Sequence, residues 1–441
     1  MIRISPLQDW IHKKIGSPLD PYIRADLESY QLEKLQQVLQ SARAKSPFYR
    51  ELLINRPVTP KTLSALADFP FTKAADIQQD PNRFVCVSQE EIQRIVTLPT
   101  SGTTGPAKRI FFTASDQELT IDFFKVGMST LAVKGDRVLI LLPGKRPGSV
   151  GDLLKLALER LECIPFLYGP VDEEETVLGK ILDQKINLLV GAPDHLHRLA
   201  CWDRAFGILP TGQIQKVLSS TDSLSRSILT NLQHQWHCEV FDHYGMTETG
   251  LGGGVECEAH QGFHLREADL LYEIIDPQTG DPMPDGEQGE VVVTTLTRRA
   301  MPLIRYRTGD LSRLIPGICA CGSFIKRLDK IKNRLGAGFH LSTGMVYPSD
   351  LDEALFSLDG LLDFNARLDE DEGHVVLSIA PRWIRENPRQ DKILLKALLT
   401  LQAIRQGVED QTLQVRITPW SGSLVTNPGQ MIKRAILNHR K

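Results

Sequence analysis

The chain has 441 residues, so two or three domains are expected from ordinary domain sizes. With 41% hydrophobic and 24% charged residues it can bury a sizeable core, and a formal net charge of −3 argues against a sequence-independent nucleic-acid partner, which asks for a basic surface. No apolar run approaches the ~18 residues of a membrane-spanning helix. The start, Met1-Ile2-Arg3-Ile4-Ser5-Pro6, lacks the apolar stretch of a secretory signal. The expectation is a cytoplasmic protein with no membrane partner.

Leu32, Leu35, Val38 and Leu39 recur at helical spacing and predict one amphipathic helix within residues 26–53. Predicted strands at 137–142, 187–191, 216–219 and 239–243 then alternate with predicted helices at 116–130, 152–162, 174–185 and 224–236. That alternation implies an α/β fold with a largely parallel sheet. After residue 270 the pattern changes to strands at 271–275, 290–295 and 303–306, separated by turns such as Pro284-Asp285-Gly286. These read as an antiparallel, β-rich part spanning about 265–320. A helix near 350–358, a strand at 374–380, a long helix near 391–406, a strand at 414–418 and a last helix follow. The expected organisation is a large multi-layer domain over residues 1–331 and a small, mobile α+β domain over residues 332–441.

Of the seven cysteines, Cys86, Cys163, Cys201 and Cys238 stand singly in apolar or strand-like surroundings and read as buried thiols. The most informative stretch is Thr100-Ser101-Gly102-Thr103-Thr104-Gly105-Pro106-Ala107-Lys108. Its glycines let main-chain N–H groups close on an anion. The hydroxyls of Thr100, Ser101, Thr103 and Thr104 can donate to phosphate oxygens, and Lys108 supplies a compact positive charge. The apolar run 110–112 would anchor the loop to a strand. The spacing is not that of a Walker A loop.

The order Thr-Ser-Gly-Thr-Thr-Gly-x-x-Lys resembles the signature of the acyl-adenylate-forming superfamily, and Asp242-His243-Tyr244-Gly245-Met246-Thr247-Glu248 resembles its second motif. The resemblance implies Tyr244 against the adenine, Thr247 at the α-phosphate and Glu248 as a Mg²⁺ ligand, with Asp242, His243, Gly245 and Met246 completing the nucleotide pocket. Arg305-Tyr306-Arg307-Thr308-Gly309-Asp310 resembles the third motif, which puts Asp310 on the ribose hydroxyls and Arg307 among the catalytic residues. Thr221 and Asp222 sit where that superfamily lines the adenine pocket, and a helix N-cap role explains them about equally well.

Ser46-Pro47-Phe48-Tyr49-Arg50, Phe69-Pro70-Phe71-Thr72-Lys73, the run 289–297 and Met301-Pro302-Leu303-Ile304-Arg305 are similar to the phenylacetate–CoA ligase group within that superfamily. The function implied is an AMP-forming ligase using ATP, Mg²⁺, a small carboxylic acid (aryl or similar) and coenzyme A, with a homodimer left open. Cys257-Glu258-Ala259-His260 and Cys319-Ala320-Cys321-Gly322 form a CxxH…CxC arrangement suited to a tetrahedral, structural Zn²⁺ site. The expected ligands are Cys257, His260, Cys319 and Cys321, with His264 as the substitute for His260.

Two stretches depart from the superfamily pattern. At the inter-domain hinge Arg334 is retained and joins the expected nucleotide-binding residues, but Gly336 and Ala337 replace aspartates. Near the C-terminus Gln430 takes the place of a lysine that contacts the reacting carboxylate, and Lys433 follows one helical turn later. Gln430 and Lys433 are the candidates for that catalytic role. Loss of such a charged donor costs about 3–4 kcal/mol at a transition state. An adenylyltransferase that stops at AMP transfer, and a nucleotide- or acyl-binding protein without turnover, therefore stay open beside the ligase.

Overall fold

The computed structural model describes residues 2–16, 24–98, 107–371, 374–420, 422 and 436–439. Its contacts divide the chain into two units. One is built from residues 1–132, 156–161 and 243–331, and the other from residues 133–155, 162–242 and 332–441. The phosphate-loop residues Thr100, Ser101, Gly102, Thr103, Thr104 and Gly105, and the C-terminal Gln430 and Lys433, lie outside the described residues.

In the first unit the helix expected within residues 26–53 is two helices, Arg24–Lys45 and Pro47–Leu52. Pro47 cannot donate to the preceding turn, and the Ser46 hydroxyl accepts from Tyr49 N at 3.2 Å, which starts a new helix. Tyr49 is fully buried between Thr72 Oγ1 at 3.0 Å and Ile304 N at 2.9 Å. Strands Ile92–Leu98 and Lys108–Thr113 run antiparallel, with Leu98 opposite Lys108, so the two flanks of the glycine-rich stretch meet. Thr113 and Asp116 cap one another, by Asp116 N to Thr113 Oγ1 at 3.1 Å and Thr113 N to Asp116 Oδ2 at 2.9 Å, and open helix Ala114–Met128. Strands Leu270–Ile275, Gly289–Thr295 and Tyr306–Ser312 form the antiparallel sheet anticipated from the sequence.

One of those strands sits later than expected. Residues 303–305 are irregular, because their amides are taken by side chains rather than by a neighbouring strand. Leu303 N donates to Thr295 Oγ1, Ile304 N to Tyr49 Oη and Arg305 N to Thr294 Oγ1, each at 2.9 Å. Arg305 has φ 47°, outside the extended region, and its buried guanidinium holds the carbonyls of Ala67 and Phe69 at 2.6 Å each.

The second unit carries the parallel sheet, with strands Ile164–Leu167, Arg137–Ile140, Leu188–Gly191, Lys216–Ser219 and the start of Glu239–Tyr244 as successive neighbours. Val138, Leu139, Ile140, Leu188, Leu189 and Val190 are all buried, as a parallel sheet covered on both faces requires. In the tail, Leu361–Asp371 and His374–Trp383 pair antiparallel, flanked in parallel by Ile436–Asn438 and Leu413–Ile417 respectively. The α/β class with an α+β tail is borne out. Two tail elements are corrected. The long helix expected near 391–406 is Gln390–Leu398 and Gln402–Glu409, broken where Thr400 and Leu401 turn back onto the carbonyls of Ala397 and Leu398 at 3.1 Å. The described end of the expected last helix is the strand Ile436–Asn438. Among the described residues, no helix is long and apolar enough to cross a membrane.

Candidate active site

Strand Glu239–Tyr244 delivers the second motif, and the turn Thr247–Thr249 closes it. Glycine is required at 245, where a Cβ would lie 2.5 Å from the Leu251 carbonyl oxygen and 2.8 Å from the His243 ring. Glu248 is 5% exposed. It is paired with Lys108, the first residue of the strand after the glycine-rich stretch. Tyr306 Oη donates to Glu248 Oε1 at 3.1 Å and accepts from Lys108 Nζ at 3.3 Å. Burial alone would raise the Glu248 carboxyl, but Lys108 and Tyr306 outweigh it and hold the group below its ordinary 4.5. The carboxylate is thus charged and buried, with one ammonium and one phenol as its partners.

The third motif enters from strand Tyr306–Ser312, whose alternation buries Tyr306, Thr308 and Asp310 and turns Arg307 the other way. Tyr244 Oη donates to Asp310 Oδ2 at 2.9 Å. Burial and the Asp310 charge push the Tyr244 phenol well up. Arg307 is held by Glu290, and by the Pro277 carbonyl at 2.8 Å, and the structure does not bring it to Lys108 or Glu248. Tyr306 occupies that place instead. Tyr306 lies inside the third motif, and the period-two alternation of the strand is the signal that marks it as inward-facing. His243 lies beside Phe123 and Phe124, with ring centroids at 6.3 and 6.2 Å, and burial pushes its pKa down to about 4. Thr247 and Met246 are half-buried in the same turn.

Thr221, Asp222, Asp242 and Arg334 belong to the second unit. Thr221 has φ 84°, a strained value for a β-branched residue, and Asp222 Oδ1 accepts from Ser223 N at 2.9 Å. Neither caps the next helix, since Ser225 does so by accepting from Ile228 N at 3.2 Å. Asp242 is buried at the end of the parallel sheet, and Arg334 is half-buried in the short strand Asn333–Arg334.

The cysteine motifs also meet in the first unit, and the histidine whose ring lies among their sulfurs is His264. Donor atoms of Cys257, His264, Cys319 and Cys321 all lie within 4.8 Å of one another, and all four residues are buried. Cys257 Sγ is 3.7 Å from Cys319 Sγ, and Cys321 Sγ is 3.6 Å from His264 Nε2. His260, the expected histidine, sits in the turn before strand Phe263–Leu265 and is 3.3 Å from Glu256. Placement on that strand is what carries His264 inward. Burial raises the Cys257 thiol, the other two sulfurs add to the shift, and burial with the Arg327 charge lowers His264 to about 4. Among the described residues, His264 Nδ1 is buried without a hydrogen-bond partner. Three cysteine sulfurs and an imidazole are a donor set that suits a borderline-soft tetrahedral cation.

A buried ammonium–carboxylate pair at the foot of a glycine-rich stretch, beside a Tyr–Asp hydrogen bond, describes a nucleotide-activating α/β enzyme. Residues 16–297 match the family model of the AMP-binding enzymes. Among curated proteins, the phenylacetate–coenzyme A ligase of Thermus thermophilus is 30% identical over 353 residues, 77% of each chain. That of Pseudomonas putida is 29% identical over 395 residues, 84% of this chain and 87% of the relative. In fold, the chain is similar to a 2-hydroxyisobutyryl-CoA ligase in the postadenylation state with 2-HIB-AMP, at TM-score 0.78 and 20% identity, over 94% of this chain and 90% of that one. The chain belongs to the AMP-binding enzyme family.

Proposed function

We propose that this protein is an AMP-forming acid–coenzyme A ligase whose substrate is a compact aryl or similar carboxylic acid. The observation that carries the reading is the Lys108–Glu248 pair, its carboxylate buried, with Tyr306 across it. A substrate carboxylate oxygen attacks the α-phosphorus of ATP, the bond to pyrophosphate breaks, and pyrophosphate leaves. The sulfur of coenzyme A then attacks the acyl carbon, and AMP leaves with the bonding electrons. The phenylacetate–coenzyme A ligase relatives support an aryl acid, and they support coenzyme A as the acceptor.

Lys108 steadies the phosphates as a mobile point charge, and Tyr244 and Asp310 hold adenine and ribose. Glu248 is the residue that would hold Mg²⁺, which when bound neutralises phosphate charge. Gln430 and Lys433 take the part of the replaced lysine, with neutral donation from the first and charge from the second. Cys257, His264, Cys319 and Cys321 would hold a structural Zn²⁺ with no open position. The functional boundary falls near residue 331, the small domain being 332–441, and a cytoplasmic location suits the coenzyme. The test is incubation with ATP, Mg²⁺, coenzyme A and a panel of acids, read by mass spectrometry. Acyl-CoA with one AMP per thioester is expected. AMP-acyl product without thioester would favour an adenylyltransferase, and no product from any acid would refute turnover.

A further inference from the structure

The strand that presents Lys108 and the turn that presents Glu248 are separate in sequence, and one buried side chain joins them. Arg298 Nη1 donates to the Glu248 carbonyl at 2.6 Å, and Nη2 donates to the Phe111 carbonyl, three residues after Lys108, at 3.0 Å. The guanidinium carbon lies 4.3 Å from the Phe112 ring centroid. Arg298 is 8% exposed and forms no ion pair among the described residues. Its charge is felt at longer range by Asp116 and Glu248.

The backbone at this point is pinned as well. Asp116, which caps the helix following the Lys108 strand, accepts from Arg299 N at 2.8 Å and Ala300 N at 3.0 Å. Arg298 is therefore fixed at both ends, by its chain neighbours to the Asp116 cap and by its side chain to two carbonyls. Burying a guanidinium against carbonyls alone is costly, and burial lowers its pKa to about 10. A fold needing only a filler here would be served by an apolar residue.

We propose that Arg298 is a positioning residue for the adenylating site: its planar fork spans the Lys108 strand and the Glu248 turn and sets the separation of ammonium and carboxylate. The inference rests on the reading of Lys108 and Glu248 as the phosphate and metal residues. Lysine cannot replace the fork, because one ammonium does not reach two carbonyls in fixed directions.

The test is a double-mutant cycle in the full chain, with Glu248→Gln, Arg298→Lys and the pair, read by acid-dependent pyrophosphate exchange over a Mg²⁺ titration. For Arg298→Lys alone, exchange falls about tenfold and half-saturating Mg²⁺ rises about tenfold, while KM for the acid is unchanged. In the Glu248→Gln background the same change costs less than about twofold, because its effect passes through Glu248. Full additivity in the cycle, or an unshifted Mg²⁺ dependence in a folded Arg298→Lys protein, overturns the proposal. Exchange at the wild-type rate in Glu248→Gln sinks the reading of Glu248 and the bridge with it, and is recognised from that single variant. If Arg298→Lys does not fold, Arg298→Gln, which keeps one donor for the Glu248 carbonyl, is carried through the same cycle with the same criteria.

Discussion

The Lys108–Glu248 site and the Cys257–His264–Cys319–Cys321 cluster lie in the same unit and both hold buried polar side chains, yet they differ in where the compensating charge comes from. At the first, a carboxylate taken out of water is compensated by an ammonium and a phenol supplied by the chain. The second gathers three cysteine sulfurs and an imidazole within 4.8 Å of one another, a donor set that would draw its compensating charge from a bound cation. A self-compensated pair can open for a visiting ligand and close again. A donor cluster gains its full stabilisation only from a resident ion. The comparison fits the proposal that one site serves turnover and the other architecture.

The largest effect expected from breaking this contrast is at Lys108. Lys108→Met removes the cation from a buried carboxylate, and acid-dependent pyrophosphate exchange should fall by about 10²–10³. The Glu248 carboxyl should then titrate above its ordinary 4.5 rather than below it, as the Mg²⁺-free pH profile of nucleotide binding would reveal. At the cluster, Cys321→Ser should reduce bound zinc from about one equivalent to near zero by metal analysis and lower the thermal midpoint. His260→Ala should leave zinc content unchanged. Tyr306→Phe keeps the packing and deletes one hydrogen bond to a charged group, so a loss of about 1.5–3 kcal/mol, seen mainly in kcat, is expected.

The smallest effect is on pH dependence. The folded state holds His243 neutral down to about pH 4, against an ordinary value of 6.5. As pH falls through that window the unfolded chain takes up a proton that the folded ring refuses, so this group's contribution to stability is lost. Glu248 has a lowered pKa, so its contribution persists above 4.5 and is lost only as pH falls through the lower folded value. His243→Phe should therefore show a flatter thermal midpoint between pH 6.5 and 4 than the native chain.

How much of this was legible in the sequence depended on where the backbone hydrogen bonds go. The strands of the parallel sheet announce themselves as short apolar runs, and four of them fall within a residue or two of their expected places. The segment 303–305 reads equally apolar, but its amide partners are Tyr49, Thr294 and Thr295, and a one-dimensional pattern does not contain them. Arg307 followed from the resemblance to the third motif, whereas the phase of strand Tyr306–Ser312 is what turns Tyr306 toward Glu248. His260 was preferred to His264 on CxxH spacing, whereas strand Phe263–Leu265 decides which ring turns inward. Arg298 carried no motif at all, and its role exists only through carbonyls contributed by two distant segments.

The central claim is that Lys108 and Glu248 activate a carboxylic acid by adenylation. Acid-dependent exchange of labelled pyrophosphate into ATP, compared between the native chain and Lys108→Met, tests it most directly. Exchange stimulated by a compact aryl acid in the native protein and nearly abolished in Lys108→Met is the result predicted. Native protein that binds ATP but exchanges no pyrophosphate with any acid of a broad panel, or a Lys108→Met variant that exchanges at the native rate, would contradict it.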